Sequence, residues 1–310
     1  MEVHKKVTQI SIWWGEAQAE VEAYLITGER NVLIDTGPPQ ASQGAIGSAL
    51  GALGLTLADI DLILNTHGHA DHTGGNAAIK TAGAQILLHK DDALFLEDRQ
   101  RCFDQYQAPV IEAVRGKKYL EEENVAFLES LRGEVAVDQQ LEDNDLIDIG
   151  DGIELRVIHL PGHTPGSVGF YWEKEGVLFS GDSVSGLHIK GGKLPLITDP
   201  LAYEKSIEHL LGIPLQLLLC GHRYRGLTLP PSSLRRGGEI RQYLHDSRET
   251  VERIVEAVGH IAPSAGEKSL LEITDEVVAE LPKEMGFKPV AELRPPPFSA
   301  ITVFWCLRYN

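Results

Sequence analysis

Apolar positions along the chain fall into short runs, some alternating with polar residues and some continuous, and both patterns predict β-strands. In the first half, strands are predicted at residues 7–12, 21–27, 31–34, 60–64 and 85–88, with helices at 42–53 and after Gly75. In the second half, strands are predicted at residues 146–149, 153–158, 168–172, 177–179 and 215–219. Asp199 followed by Pro200 predicts the start of a helix that ends at Leu211. Strands that alternate with helices indicate a layered α/β architecture.

Two regions depart from this rhythm. Residues 91–132 predict short polar helices, at 93–97, 102–114 and 120–131, which we interpret as an inserted helical region. After Pro230-Pro231, apolar residues recur at helical spacing over 234–258 and 269–281, and a last apolar segment covers 301–307. We therefore predict a main domain over residues 1–230 and a small helical appendage over 231–310. Whether the insertion and the appendage line a functional site is left open by the sequence.

Composition narrows the classes of function. The formal net charge of −17 counts against a general affinity for nucleic acid or for an anionic membrane surface. No run approaches the roughly 20 apolar residues that span a bilayer, and the first residues lack the apolar run of a signal peptide. The three cysteines are scattered, which fits a reducing compartment. Together these features predict a cytoplasmic protein.

Shortly after the strand at 60–64, three histidines and an aspartate lie within six residues, in the order His67-Gly-His69-Ala-Asp71-His72. In extended backbone, alternate residues point the same way, so His67, His69 and Asp71 can face one side. Asp71 and His72 are adjacent and can therefore point toward different centres. This spacing predicts ligands for two metal ions rather than a solvated histidine-rich loop.

Other metal-ligand side chains also stand where predicted strands end. Imidazole and carboxylate groups are the usual ligands of zinc and similar divalent ions in hydrolytic sites. The full set of candidate ligands is His67, His69, Asp71, His72, His163, Asp182 and His222.

This ligand pattern resembles that of the metallo-β-lactamase superfamily, in particular its glyoxalase II-like and lactamase-β-like members. Shorter motifs support the resemblance over roughly residues 7–225: Asp35-Thr-Gly37, Gly74-Gly75, Pro161-Gly-His-Thr-Pro-Gly166 and Gly181-Asp182. The resemblance implies a four-layer αββα sandwich as the catalytic domain, with the metals at one edge of two packed sheets.

The resemblance also implies a role for each ligand. His67, His69 and His163 would bind a first metal, Asp71, His72 and His222 a second, and Asp182 would bridge the two. Asp35 would orient the metal loop without touching metal. The implied cofactors are two divalent ions, with zinc as the first choice, while iron and manganese also fit.

The implied reaction is hydrolysis, in which a hydroxide that bridges the two ions attacks a carbonyl or phosphoryl centre. Asp71 would orient this nucleophile or relay its proton. Tyr224 stands where glyoxalase II-type members carry a substrate-facing tyrosine, and His188 and Arg223 are further candidates for contacting substrate. Each of these three also fits an ordinary structural role. We predict a hydrolase of a small ester-type substrate, a thioester or a lactone.

Two alternatives belong to other classes. The helical tail resembles that of lactamase-like enzymes that cleave single-stranded RNA, and Arg235, Arg236 and Arg241 are candidate phosphate contacts, although the acidity of the chain counts against nucleic acid. An iron-dependent oxidoreductase is the weaker alternative. The insertion and the tail also offer apolar faces for a homodimer. Substrate, metal identity and oligomeric state are not determined by the sequence.

Overall fold

The computed structural model describes residues 1–15, 19–117, 120–122, 125, 134–189, 192–290 and 298–308. Its first half forms sheet A, in which seven strands lie side by side in chain order. β1 to β4 are antiparallel to their neighbours, whereas β4 to β7 run parallel. The strands are β1 Glu2–His4, β2 Val7–Trp14, β3 Ala19–Ile26, β4 Val32–Ile34, β5 Leu62–Leu64, β6 Gln85–His89 and β7 Gln139–Leu141.

The second half forms sheet B, which is built around β13. This strand runs parallel to β11 and antiparallel to β12 and β14, and the sheet continues from β11 through β10 and β9 to β8. One backbone pairing, His222 with Val21, joins β13 to β3 of sheet A. The strands are β8 Leu146–Asp148, β9 Glu154–His159, β10 Val168–Trp172, β11 Val177–Gly181, β12 Leu187–His188, β13 Leu217–Arg225 and β14 Ser232–Arg236.

Helices cover the outer faces of both sheets, and the C-terminal part of the chain is also helical. Those of the first half are α1 Gly47–Ala52, α2 Ala70–Thr73, α3 Asn76–Thr81, α4 Ala93–Glu97, α5 Arg99–Cys102 and α6 Ala108–Arg115. Those of the second half are α7 Pro200–Leu211, α8 Gly238–Ile261, α9 Leu270–Glu280 and α10 Phe298–Leu307. Among the residues that the structure describes, no helix combines the length and apolar character needed to cross a bilayer.

Buried side chains define the layers. The two sheets pack face to face through a core that includes Leu64 of β5 and Phe170 of β10. The other face of sheet A packs on α1, α3 and α4, and the other face of sheet B packs on α7 and α8. Strands such as β4 are buried on both faces, which explains their continuous apolar sequence. The predicted αββα sandwich is therefore confirmed.

The C-terminal part departs from the prediction in one respect. Residues 234–236, predicted as the start of a long helix, belong to β14, which pairs with β13 from Leu217 to Leu219. The chain turns at Gly237, whose φ of +53° suits glycine, and α8 begins only afterwards. The hydrogen-bonding edge of β13 overrides the helical spacing of the apolar residues. The division of the chain at residue 230 stays a prediction.

Three other predicted helices, one at 42–53 and two in the inserted region, compare with the structure as follows. The helix predicted at 42–53 begins with a π-helical turn, Ser42–Ile46, and the one predicted at 102–114 contains another, Phe103–Gln107. The helix predicted at 120–131 lies mostly outside the described residues. The second half of α8 packs with α9 and α10 in a separate cluster, to which Val114 of α6 contributes. The inserted region and the C-terminal helices are thus in contact.

Candidate metal centre

The candidate ligands come together at one edge of the sandwich, where β3 and β13 join the two sheets. His67, His69, Asp71 and His72 lie in the loop and short helix that follow β5, and Asp182 directly follows β11. His163 lies between β9 and β10, and His222 lies within β13. Because the ligands are placed by several different buried strands, the centre is held by the core of both sheets.

Three histidines form a first group. His67 Nε2 lies 3.1 Å from His69 Nδ1, which in turn lies 2.9 Å from His163 Nε2. Ligand atoms about 2.0–2.1 Å from a tetrahedral zinc are about 3.4 Å apart. The three nitrogens therefore have nearly the spacing that a single divalent ion requires.

A second group adjoins the first. His222 Nε2 lies 3.3 Å from Asp71 Oδ2 and 3.4 Å from His72 Nε2. Asp182 stands between the groups, with Oδ2 3.4 Å from His222 Nε2 and 3.7 Å from His163 Nε2. Its other oxygen, Oδ1, is buried and has no hydrogen-bond partner among the described residues. A buried carboxylate oxygen without a donor is costly, so this donor set fits divalent metal.

In two of the ligand histidines, the ring nitrogen that points away from the centre is anchored by a backbone carbonyl. His163 Nδ1 donates to Leu196 O at 2.7 Å, and His222 Nδ1 donates to Glu20 O at 2.7 Å. A carbonyl oxygen can only accept, so each Nδ1 keeps its proton, and in the neutral ring the lone pair is on the Nε2 that faces the centre. The tautomers are thereby the ones that a metal ligand needs.

Asp35 has the orienting position that the resemblance implied. It accepts hydrogen bonds from Thr66 N and Thr66 Oγ1, both at 2.8 Å, and its Oδ2 lies 2.9 Å from His72 Nδ1. It is 2% exposed and adopts a φ of +57°, which is uncommon for a residue other than glycine. The strained backbone directs this carboxylate at the start of the metal loop and at one of its histidines.

Asp92 is a residue of the site that the sequence analysis missed. Its carboxylate accepts from Gly68 N and Gly166 N, each at 2.7 Å, and from Thr164 Oγ1 at 2.7 Å. It thereby ties the loop between His67 and His69 to the loop that carries His163. Burial raises the pKa of Asp92 to about 6, although these hydrogen bonds oppose the shift. The one available signal was an acidic residue just after the buried strand β6.

Charge is divided unevenly within the centre. Burial and neighbouring histidines lower the pKa of His67 and His163, and lower that of His69 to about 3. Burial also disfavours a charged His72, but Asp71, Asp182 and Asp35 outweigh it and raise its pKa to about 9. Burial opposes the charged form of His222 as well, yet Asp182 and Asp71 raise the pKa of His222. In the metal-free protein at neutral pH, His72 and His222 therefore each carry a second ring proton, which a bound metal would displace.

Three further residues were predicted to meet substrate. The Tyr224 hydroxyl is buried and donates to Asp182 Oδ2 at 3.1 Å. His188 of β12 is paired with Tyr224, and their ring centroids are 5.4 Å apart. Arg223 forms an ion pair with Glu20 at 2.9 Å. The structure thus brings Tyr224 and His188 to the centre, whereas Arg223 is engaged at the surface.

His89, Asp91 and His159 form another cluster of metal-ligand types. The two imidazole rings are stacked with their centroids 4.2 Å apart and their planes at 12°. Imidazole lone pairs lie in the ring plane, so two nearly parallel rings cannot aim at one ion. His159 Nε2 instead donates to Pro165 O at 2.8 Å, which indicates a structural role.

Comparison with known sequences places these features in a family. The metallo-β-lactamase superfamily model matches residues 20–222. The chain is 29% identical over 164 residues to a hydroxyacylglutathione hydrolase from Chelativorans sp. (strain BNC1), covering 53% of this chain and 48% of that protein. It is 34% identical over 161 residues to the enzyme of that name from Anaeromyxobacter dehalogenans (strain 2CP-C), covering 52% and 44%. It is 31% identical over 202 residues to a β-lactamase-like protein 2 homolog of Drosophila melanogaster, covering 64% of this chain and 57% of that protein.

Solved structures show the same fold. A metallo-β-lactamase family protein from Thermus thermophilus superposes with a TM-score of 0.71 at 22% identity, over 99% of this chain and 94% of that one. A subclass B3 metallo-β-lactamase of Bradyrhizobium japonicum superposes with a TM-score of 0.58 at 24% identity, over 83% of this chain and 93% of that one. The matched segments span about half the length of the curated relatives. The match to the family model, which covers more than half of the chain, shows that this protein belongs to the metallo-β-lactamase superfamily of hydrolases.

Proposed function

We propose that this protein is a metal-dependent hydrolase of a small ester-type substrate, a thioester or a lactone, and that it uses two divalent metal ions, zinc by first choice. The observation that carries the proposal is the convergence of two ligand groups on the shared carboxylate of Asp182. His67, His69 and His163 would hold one ion, and Asp71, His72 and His222 the other.

Two ions bound in these groups would polarise the scissile carbonyl and lower the pKa of a water molecule. The chain's own residues prepare the centre for that chemistry. Tyr224 donates to Asp182 Oδ2 and so fixes the orientation of the shared carboxylate. The carbonyls behind His163 and His222 hold each Nδ1 proton, so Nε2 is the atom of each ring that is available to bind metal.

Asp71 is suited to orienting water or relaying a proton. Its side chain is 16% exposed, so it faces the approach to the centre. Burial opposes its ionisation, but His72 and His222 outweigh burial and hold the pKa of Asp71 well below its ordinary value. Its carboxylate is therefore ionised at neutral pH and can accept a hydrogen bond from an incoming water.

The names of the relatives favour a thioester as the first substrate class. Two of those described above are named hydroxyacylglutathione hydrolase, that is, enzymes that act on a thioester of glutathione. The chain spans only about half of their length, so glutathione itself is not carried over. A small thioester or a lactone is the substrate that we propose.

The three arginines that were candidate phosphate contacts in the RNA alternative are hydrogen-bonded within the described part of the chain. Arg235 is 1% exposed and donates to Tyr224 O and Pro230 O. Arg236 donates to Val3 O, and Arg241 donates to Leu211 O. These arginines therefore hold the chain's own backbone carbonyls.

A substrate panel tests the proposal. Purified protein is assayed with small thioesters, lactones and a single-stranded RNA, before and after chelation and with zinc, manganese or iron restored. We expect metal-dependent turnover of a thioester or lactone, with a large loss in His163→Ala and none in His245→Ala, which removes an exposed histidine of α8. Metal-dependent cleavage of RNA alone, or no turnover of any ester, would contradict the proposal.

A further inference from the structure

A row of aromatic rings leads outward from the candidate metal centre. The ring of His69 lies 5.6 Å from that of Phe95, nearly edge to face. Phe95 stacks on Tyr106 at 5.2 Å with an interplanar angle of 21°, and Tyr106 lies 6.4 Å from Trp305. We call Phe95, Tyr106 and Trp305 the aromatic row. It begins at a candidate metal ligand and continues without a break away from it.

The three rings come from separate parts of the chain. Phe95 lies in α4, Tyr106 in the π-helical turn Phe103–Gln107, and Trp305 in α10. The inserted region and the C-terminal helix therefore supply one continuous surface. Their contact through α6 and α10 brings the rings together.

The C-terminal helix is also fixed to the metal centre. Thr302 Oγ1 accepts from Ile197 N at 3.3 Å and donates to Pro195 O at 2.7 Å. The carbonyl of the intervening Leu196 anchors His163. Because α10 is hydrogen-bonded on both sides of that carbonyl, Trp305 keeps a defined position relative to the centre. A subsite on rigid elements binds with a smaller loss of conformational entropy.

The burial of the row changes along its length. Phe95 is 9% exposed, whereas Tyr106 and Trp305 are half-buried and keep part of their ring surface accessible. Beyond Trp305, the guanidinium carbon of Arg308 lies 5.3 Å from its ring centroid, and Arg308 is exposed. The row thus joins the metal centre to an exposed cation through partly accessible aromatic surface.

We propose that the aromatic row is the binding subsite for an aryl acyl group of the substrate, and that Arg308 pairs with an anionic group at the far end of that acyl group. This inference rests on the proposed hydrolysis of a thioester and specifies the class of carboxylic acid from which the acyl group of that thioester derives. Flat apolar groups bind well to aromatic faces, and offset stacking adds roughly 0.5–1.5 kcal/mol per ring pair beyond burial. The chain carries a net charge of −17, so an anionic substrate needs a local cation such as Arg308.

Matched thioesters of N-acetylcysteamine test the inference on the metal-loaded protein. The acyl groups are acetyl, 3-phenylpropanoyl and 3-(4-carboxyphenyl)propanoyl, so only the acid changes. We expect the aryl substrates to have the higher kcat/KM in wild type. In Tyr106→Leu, the ratio of kcat/KM for the aryl substrates to kcat/KM for the acetyl substrate falls about three- to tenfold, since one stacking partner is lost. Tyr106→Phe keeps the ring and is the matched control, with a ratio within about twofold of wild type.

Arg308→Gln tests the far end of the row at an exposed position. It is expected to lower the ratio of kcat/KM for the carboxyphenyl substrate to kcat/KM for the phenyl substrate. Measurable ester turnover with an unchanged aryl-to-acetyl ratio in Tyr106→Leu would overturn the inference while leaving the proposed function intact. Thermal denaturation of each variant separates loss of folding from loss of recognition.

If no thioester is hydrolysed, binding of the corresponding unreactive amides tests whether the aromatic row is a binding subsite. Isothermal titration calorimetry compares the phenylpropanoyl and acetyl amides with wild type, Tyr106→Leu and Tyr106→Phe. Tighter aryl binding that Tyr106→Leu weakens and Tyr106→Phe preserves would support the subsite although the proposed function had failed. Equal binding of both amides to all three proteins would overturn it.

Discussion

Replacing Asp92 with alanine removes the acceptor that joins the two loops of the metal centre. Gly68 N and Gly166 N then have no acceptor at a buried position, whereas Thr164 Oγ1 keeps Ser167 Oγ at 2.7 Å. An unsatisfied buried N–H costs about 1–3 kcal/mol, so the two together cost about 2–6 kcal/mol of unfolding free energy at neutral pH. We expect the variant to be less stable by that amount.

The pKa of Asp92 gives this loss a pH dependence. Its value of about 6 lies above the ordinary 3.8, so the folded state binds a proton more tightly than the unfolded state. The resulting stabilisation is present below pH 3.8 and is lost as pH rises through 6. When the pH is lowered from 7.5 to 5.0, the unfolding free energy of wild type should rise by about 1.4 kcal/mol relative to that of Asp92→Ala. The other groups are common to both proteins and largely cancel in this difference.

The metal centre should respond as well. Residues that orient metal ligands typically contribute 10- to 100-fold in metal affinity, and Asp92 positions the loops on both sides of the first group. Urea denaturation of the chelated proteins at both pH values gives the stability, and competition with a chromophoric chelator gives the affinity. Asp91→Ala, which removes a half-exposed neighbour, is the control, with an expected change within about 0.5 kcal/mol. If Asp92→Ala matched wild type in both stability and metal affinity, this reasoning would be refuted.

Three further changes are predicted. Because the pKa of His72 is about 9 in the metal-free protein, metal loading at pH 7.5 should release protons; calorimetry in buffers of different ionisation enthalpy measures them, and zero release contradicts the prediction. Gly68→Ala places a Cβ 2.5 Å from Phe95 Cβ and should lower the unfolding free energy by about 1–3 kcal/mol, measured by urea denaturation. An unchanged urea midpoint would contradict this prediction. Tyr224→Phe removes the donor to Asp182 and should weaken metal binding about tenfold in a chelator competition, whereas equal affinity would exclude the positioning role.

Buried strands and their ends were the predictable part of this molecule. Strands such as β5 are short apolar runs because both faces are covered, so their sequence carries a strong signal. The candidate ligands lie at or near the ends of such strands, and the side-chain type of each one identifies it as a possible metal ligand. The αββα layers and the grouping of the ligands at one edge could therefore be anticipated.

Long-range contacts were the part that could not be predicted. β7 is the polar sequence Gln-Gln-Leu at a sheet edge, and β14 is a strand only because β13 offers it a hydrogen-bonding edge. Asp92 acts on two loops separated along the chain, and nothing in its local sequence marks that role. The aromatic row combines rings from the insertion and from α10, whose contact depends on tertiary packing.

The metal content of three proteins tests the central claim most directly. Wild type, His163→Ala and His222→Ala are loaded with zinc, freed of excess metal, and analysed by native mass spectrometry. Since each histidine belongs to a different ligand group, we predict two ions in wild type and a preferential loss of one ion in each variant. One ion per wild-type chain, or a content that neither substitution changes, would contradict the two-metal account.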